Sequence, residues 1–140
     1  MKWTIAFALA ILAAVGIGTT AASGSSAGSS SVSFRMVEWD ILPQTATKTS
    51  SPKVTFVVRN AGKLTHEFVV LKTAKTAGTL AAPGAAEAPE TGAAGEIGEL
   101  KPGTVKRLTL TLKTGHYSLI CNLAGHYNNG QFVDFYVRKS

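Results

Sequence analysis

Sulfur is scarce in this chain: one cysteine, Cys121, and two methionines, of which one is Met1. A single cysteine excludes an internal disulfide, and with it the small stapled scaffolds that exported chains use when they cannot build a core. Charge is sparse as well, with 16% of residues ionisable as Asp, Glu, Lys or Arg and only eight acids against 14 bases, a formal net charge of +6. Four of the acids, Glu87, Glu90, Glu96 and Glu99, fall in one Ala/Gly/Pro-rich stretch, so the remainder is more basic than the total indicates. No clustered arginine and aromatic platform is present, which argues against nucleic acid as a partner. The bases read as solvated strand faces, able to steer an acidic protein or an anionic membrane. At 140 residues the chain is the size of one domain, large enough to bury a core without cross-links.

Long apolar runs are missing except at the start, MKWTIAFALAILAAVGIGTTAAS. Lys2, the apolar run from Ile5 to Ile17 and the small residues Thr20, Ala21 and Ala22 read as an export signal over residues 1–22, cut near Ala22. The run is shorter than the roughly 20 residues that span a bilayer and no basic stop-transfer cluster follows, which disfavours a retained anchor. The expected location is periplasmic or otherwise extracytoplasmic, membrane-tethered if the leader stays on. Residues 23–31, rich in Ser and Gly, read as a flexible linker, with ordered structure from Val32.

From Val32 onward the hydrophobic period is two, the signature of strands, and no segment there carries an amphipathic helix. Val32, Phe34 and Met36 share a face, as do Val54, Phe56 and Val58, then His66, Phe68 and Val70. Leu108, Leu110 and Leu112 form another row, Tyr117, Leu119 and Cys121 the next, and Val133, Phe135 and Val137 the last. Short strands separated by Gly, Asn and Pro turns predict an all-β fold, an antiparallel Greek-key β-sandwich over residues 32–140. Residues 73–103 break the pattern and read as a long low-complexity loop, mostly mobile, with Ile97 and Leu100 docking back before the Lys101-Pro102-Gly103 turn. Trp39 and Phe56 read as core, His116 and Tyr127 as surface residues.

A lone thiol in an oxidising compartment is a buried inert group, half of an intermolecular disulfide, or a metal ligand. Its surroundings favour the third. Cys121 ends a strand, and Asn122-Leu123-Ala124-Gly125 is a loop short enough to turn His126 toward it. His66 opens another strand on a core-facing row, where an imidazole needs a partner. Two imidazoles and a thiolate form a trigonal set, which with a weak axial donor makes a blue-copper electron-transfer site; Gln131 stands where that donor belongs. Zinc prefers four firm donors in structural sites and an open water position in catalytic ones. A catalytic Cys-His pair would want an orienting third residue and an oxyanion loop, and neither is evident.

The stretches VTFVVRNAGKLTHEFVVL and LKPGTVKRLTLTLKTGHYSLICNLAGHYNNGQFVDFYV resemble the cupredoxins, the small type 1 copper proteins, and in particular their bacterial plastocyanin-like group. The resemblance runs from about Val32 to Val137 and implies His66, Cys121 and His126 as equatorial ligands of one type 1 copper ion. The usual axial methionine is replaced by Gln131, as in stellacyanin-like members, which implies a lower reduction potential than the methionine version. It also implies a carrier rather than an enzyme, a monomer that docks redox protein partners near His126 through Leu123, Ala124 and Tyr127. Glu67 is expected to offer its backbone N–H to the Cys121 sulfur. Two other readings remain open: a copper module for storage, delivery or resistance, and a sandwich that binds no metal in the cell.

Overall fold

The computed structural model describes residues 28–84 and 86–140. The leader read in residues 1–22, and residues 23–27 of the linker, lie outside the described residues. Nine strands follow in chain order: β1 (Ser29–Val37), β2 (Asp40–Pro43), β3 (Lys48–Thr49), β4 (Lys53–Asn60), β5 (His66–Lys72), β6 (Ala93–Leu100), β7 (Val105–Thr111), β8 (Gly115–Ile120) and β9 (Phe132–Val137). They form two sheets, ordered β2-β1-β4-β7 and β3-β9-β8-β5-β6. The result is the expected β-sandwich. Its sheets are mixed, because β1 runs parallel to β4 from Ser29↔Lys53 to Met36↔Asn60, and β3 runs parallel to β9. Alternation reports which face a side chain takes and is silent on the direction of the neighbouring strand.

The inward rows meet as the period-two pattern requires. Val32, Phe34 and Met36 of β1 and Val54, Phe56 and Val58 of β4 pack against Phe68, Val70, Tyr117, Leu119, Cys121, Phe135 and Val137 of the opposite sheet. Phe34, Phe56, Phe68 and Phe135 sit at the centre with ring centroids 5.3–6.5 Å apart, in tilted and edge-on pairs. Contacts of this kind add about 0.5–1.5 kcal/mol each beyond the area they bury. This block fixes the separation of the sheets, and so the position of everything at the end where β5, β8 and the β8–β9 loop meet.

Two boundaries differ from the sequence reading. Ser29, Ser30 and Ser31, assigned above to the linker, already belong to β1, since pairing with β4 satisfies their backbone whatever their side chains are. In the 73–103 stretch, residues 93–100 are a full strand paired with β5, so Ile97 and Leu100 dock as expected but as part of the sheet. The small residues of AAGEIGEL hide the alternation. Gly95 lies so close to β7 that a Cβ there would meet Leu110 Cδ2 at 2.7 Å.

The rest of that stretch, residues 73–84 and 86–92, is a strap across the outer face of the five-stranded sheet. A second apolar cluster lies under it, formed by Val69, Leu71, Ile120, Tyr127 and Ala88 with Leu80, Ala82 and Phe132 at its edge. Strands β5 and β8 are therefore buried on both faces. Polar anchors hold the strap down. Asn122 exchanges hydrogen bonds with the Ala88 backbone, the Tyr127 hydroxyl accepts from Leu80 N–H at 2.8 Å and donates to Ala77 O at 2.7 Å, and Asp134 Oδ1 accepts from Ala77 N–H at 2.7 Å. Tyr127 is thus buried rather than on the surface, because its hydroxyl has two partners inside. His116 is likewise tied in, its Nε2 2.7 Å from Asp134 Oδ1 and its Nδ1 2.6 Å from Thr73 O. Among the described residues no helix is long and apolar enough to cross a membrane.

Candidate metal centre

His66 is delivered by a short turn fixed at both ends. Asn60, the last residue of β4, is fully buried; its Nδ2 donates to Leu64 O and Leu100 O, both at 2.7 Å, and its Oδ1 accepts from Gly62 N–H at 2.9 Å. His66 then opens β5 opposite Leu100, at an irregularity in the β5–β6 ladder, and is itself fully buried.

The other donors come from one loop. Cys121 follows β8 directly, and its N–H donates to Gln131 O at 3.0 Å, which closes the segment between them into a ring. Within the ring His126 N–H bonds to Leu123 O at 2.9 Å, a single 3-10 turn spans Tyr127–Asn129, and Gly130 takes a left-handed conformation at φ 110°. A side chain would be strained there. Cys121 and Gln131 are fully buried, whereas His126 is half-buried at the surface end of the loop.

These elements bring all four sequence-predicted residues to one point. His66 Nδ1 and His126 Nδ1 are 3.3 Å apart, Cys121 Sγ is 3.3 Å from His126 Nδ1, and it is 4.0 Å from His66 Nδ1. A point equidistant from the three lies about 2.1 Å from each, at the length of a metal–nitrogen bond and about 0.2 Å short of a metal–sulfur bond. His66, Cys121 and His126 therefore form one group suited to a single type 1 copper ion. The Gln131 amide lies beside it, with Oε1 3.1 Å from His126 Nδ1. Gln131 Nε2 donates to Val37 O at 2.7 Å and also lies 3.1 Å from His66 Nδ1, so the amide spans the centre with its nitrogen toward His66 and its oxygen toward His126.

Burial sets the electrostatics. It pushes the Cys121 thiol up from its ordinary value, although the Glu67 and Leu123 N–H groups aimed at the sulfur pull the other way. The Glu67 N–H lies 3.3 Å from Sγ, as the sequence reading expected. Burial, then the charge of His126, pushes His66 below the usual imidazole range, and Glu38 opposes both. Before a metal arrives the site therefore holds a neutral thiol and a neutral His66 near pH 7. A cation is what would draw the proton from the sulfur.

Sequence reasoning missed the turn between β1 and β2. Its three consecutive residues each touch a different member of the set: Val37 through its carbonyl to Gln131, Glu38 through a carboxylate oxygen 3.4 Å from His66 Nε2, and Trp39 edge-on to His126 with centroids 4.9 Å apart. Trp39 was read as core; it is 39% exposed, because it has the outward parity of Ser33, Arg35 and Val37 and sits in the turn at the rim. A signal was present for Glu38. It continues the parity of Val32, Phe34 and Met36, so an acid closes an inward row just as His66 opens one.

No family model and no curated protein matches the chain. Solved structures do match in fold. Dithionite-reduced auracyanin from the photosynthetic bacterium Roseiflexus castenholzii superposes with a TM-score of 0.57 at 19% identity, covering 79% of this chain and 98% of its own. Auracyanin B gives 0.56 at 19% identity over 76% and 87%. Rusticyanin from Thiobacillus ferrooxidans gives 0.58 at 15% identity over 79% and 77%, and rusticyanin is described as a copper protein. The chain has the cupredoxin fold, and at these identities the likeness is one of fold.

Proposed function

We propose that this protein is an exported type 1 copper protein that carries single electrons between redox partners, in which His66 Nδ1, Cys121 Sγ and His126 Nδ1 would hold the ion and Gln131 Oε1 would add a weak fourth donor. The observation that carries this reading is the convergence of one sulfur and two ring nitrogens, from β5 and from the β8–β9 loop, within 4.0 Å of one another. Copper held there would supply a one-electron couple. The protein supplies the rest. Thiolate and imidazole suit both oxidation states of copper, and an amide oxygen is a weak fourth donor.

Strands and a closed loop hold the donors, so their positions change little when the charge at the centre changes. Little rearrangement favours fast electron transfer. His126, half-buried, is the electron port. Leu123, Ala124 and the rim residue Trp39 form the docking patch beside it, and Tyr127, buried under the strap, drops out of that patch. A small patch fits a brief, weak encounter of a monomer with its partners. Four donors saturate the centre and leave no position for a substrate, which supports a carrier over an enzyme. The leader read in residues 1–22 belongs to the same proposal, placing the mature domain outside the cytoplasm.

Optical and electron paramagnetic resonance spectra of the copper-loaded protein test the reading. An intense red-region charge-transfer band with narrow copper hyperfine splitting is expected, reversible one-electron cycling should follow, and Cys121→Ser should abolish the band. A colourless Cu(I) protein that passes its metal to an acceptor would instead favour storage or delivery. Failure to retain copper in native mass spectrometry would leave a sandwich without a metal.

A further inference from the structure

The Glu38 carboxylate lies outside the proposed ligand set, yet two backbone donors hold it at the edge of the site. Its Oε1 accepts from Lys63 N–H and Leu64 N–H, each at 2.7 Å, and the same oxygen faces His66 Nε2 at 3.4 Å. The last distance is a few tenths of an ångström beyond a strong hydrogen bond and well within a charge contact. His66 is fully buried, so water does not compete for that face of the ring. With Nδ1 turned to the centre and facing the Gln131 amide nitrogen at 3.1 Å, Nε2 carries the proton, and Glu38 is the charge that faces it, a charge contact rather than a closed hydrogen bond.

Resting on the copper reading, we propose that Glu38 is a positioning residue for His66: it holds the Nε2–H tautomer, presents the Nδ1 lone pair to the metal, and by its negative charge favours Cu(II) over Cu(I). A carboxylate behind a ligand imidazole raises the basicity of that ligand, and loss of such a partner commonly costs 10- to 100-fold in metal affinity. The effect falls chiefly on the ion of higher charge.

Gly62 offers an independent handle on the same contact. A Cβ at this position would collide with the Glu38 carboxylate oxygen, the far end of a flexible side chain, which must then swing away from the turn. Gly62→Ala thus removes the carboxylate from His66 without altering either residue.

The test compares the mature wild-type protein with Glu38→Gln and Gly62→Ala, loaded with copper, by spectroelectrochemistry, and the metal-free forms by nitrogen-15 nuclear magnetic resonance of the histidines. Glu38→Gln keeps the acceptor oxygen and loses only the charge. It should shift the Cu(II)/Cu(I) affinity ratio about tenfold toward Cu(I), a rise of about 59 mV in potential for one electron. The visible band should persist, and Gly62→Ala should move the potential the same way. In the metal-free wild type His66 should be wholly the Nε2–H tautomer, becoming mixed in Gly62→Ala. Potentials unchanged in both variants, or a His66 tautomer that ignores Gly62→Ala, would overturn the proposal. If the wild type shows no visible band the copper reading fails by itself, and the tautomer measurement still decides what Glu38 does. Should Glu38→Gln not fold, Gly62→Ala carries both measurements.

Discussion

Replacing Asn122 with alanine cuts the strap from the ligand loop at the residue next to Cys121. Asn122 is 2% exposed; its Oδ1 accepts from Ala88 N–H at 2.7 Å, and its Nδ2 donates to Ala88 O at 3.0 Å and to Glu90 Oε1 at 2.7 Å. Ala88 is itself 4% exposed, so the substitution strands two backbone polar groups away from water. Each buried group left without a partner costs about 1–3 kcal/mol, and some of this is recovered if the strap lifts to let water in, so the expected loss is about 2–4 kcal/mol. Against a total stability of roughly 5–15 kcal/mol that is a large fraction. Urea unfolding of the metal-free, reduced protein reads the loss as a lower midpoint, and hydrogen exchange at the Ala88 amide reads the local opening. Asn122→Asp keeps the acceptor for Ala88 N–H but sets a second carboxylate against Glu90; it should lose stability while the Ala88 amide stays protected. An Asn122→Ala midpoint equal to wild type, with slow exchange at Ala88, would refute the claim that this side chain holds the strap.

Gln131→Leu removes both the proposed fourth donor and the hydrogen bond to Val37 O; the metal-free protein should lose about 1–3 kcal/mol in a urea melt, and the potential of the copper form should rise, as it should for Gln131→Met. Copper uptake near neutral pH should release a proton from Cys121, because burial keeps that thiol protonated; calorimetry in buffers of different ionisation enthalpy measures it, and thiolate absorbance in the metal-free protein below pH 9.0 would contradict it. Tyr117 is buried with its hydroxyl donating to Lys113 O, and burial raises it above its ordinary value of 10.0. The unfolded chain ionises this tyrosine first, so stability should fall as pH rises from 10.0 toward the folded value, and Tyr117→Phe should flatten that slope in pH-dependent unfolding.

The candidate site was legible because its chemistry is local in type. Cys121, His126 and Gln131 fall in one Gly- and Asn-rich loop, and His66 occupies an inward position of a strand, where an imidazole among Phe68 and Val70 calls for a partner. Strands β1, β4, β5, β7, β8 and β9 were legible from alternation, and each inward row packs where the parity puts it; β2 and β3 are too short to show one. Residues 73–103 were not legible. Their Ala and Gly content reads as loop, yet Gly95 is small because Leu110 crosses it, and Ala88 is anchored by a side chain 34 residues away.

What the sequence determined by itself is the set of faces: which residues point inward, where turns fall, and which donors are available for a metal. Only the tertiary structure decided the neighbours. It made β1 a parallel partner of β4, buried Tyr127 beneath the strap, moved Trp39 to the rim, and set Val37 and Glu38 behind Gln131 and His66. The reason is that a side chain's parity follows from backbone geometry at each residue, whereas the partner that satisfies a buried amide, hydroxyl or imidazole comes from distant chain, and no local pattern encodes that encounter.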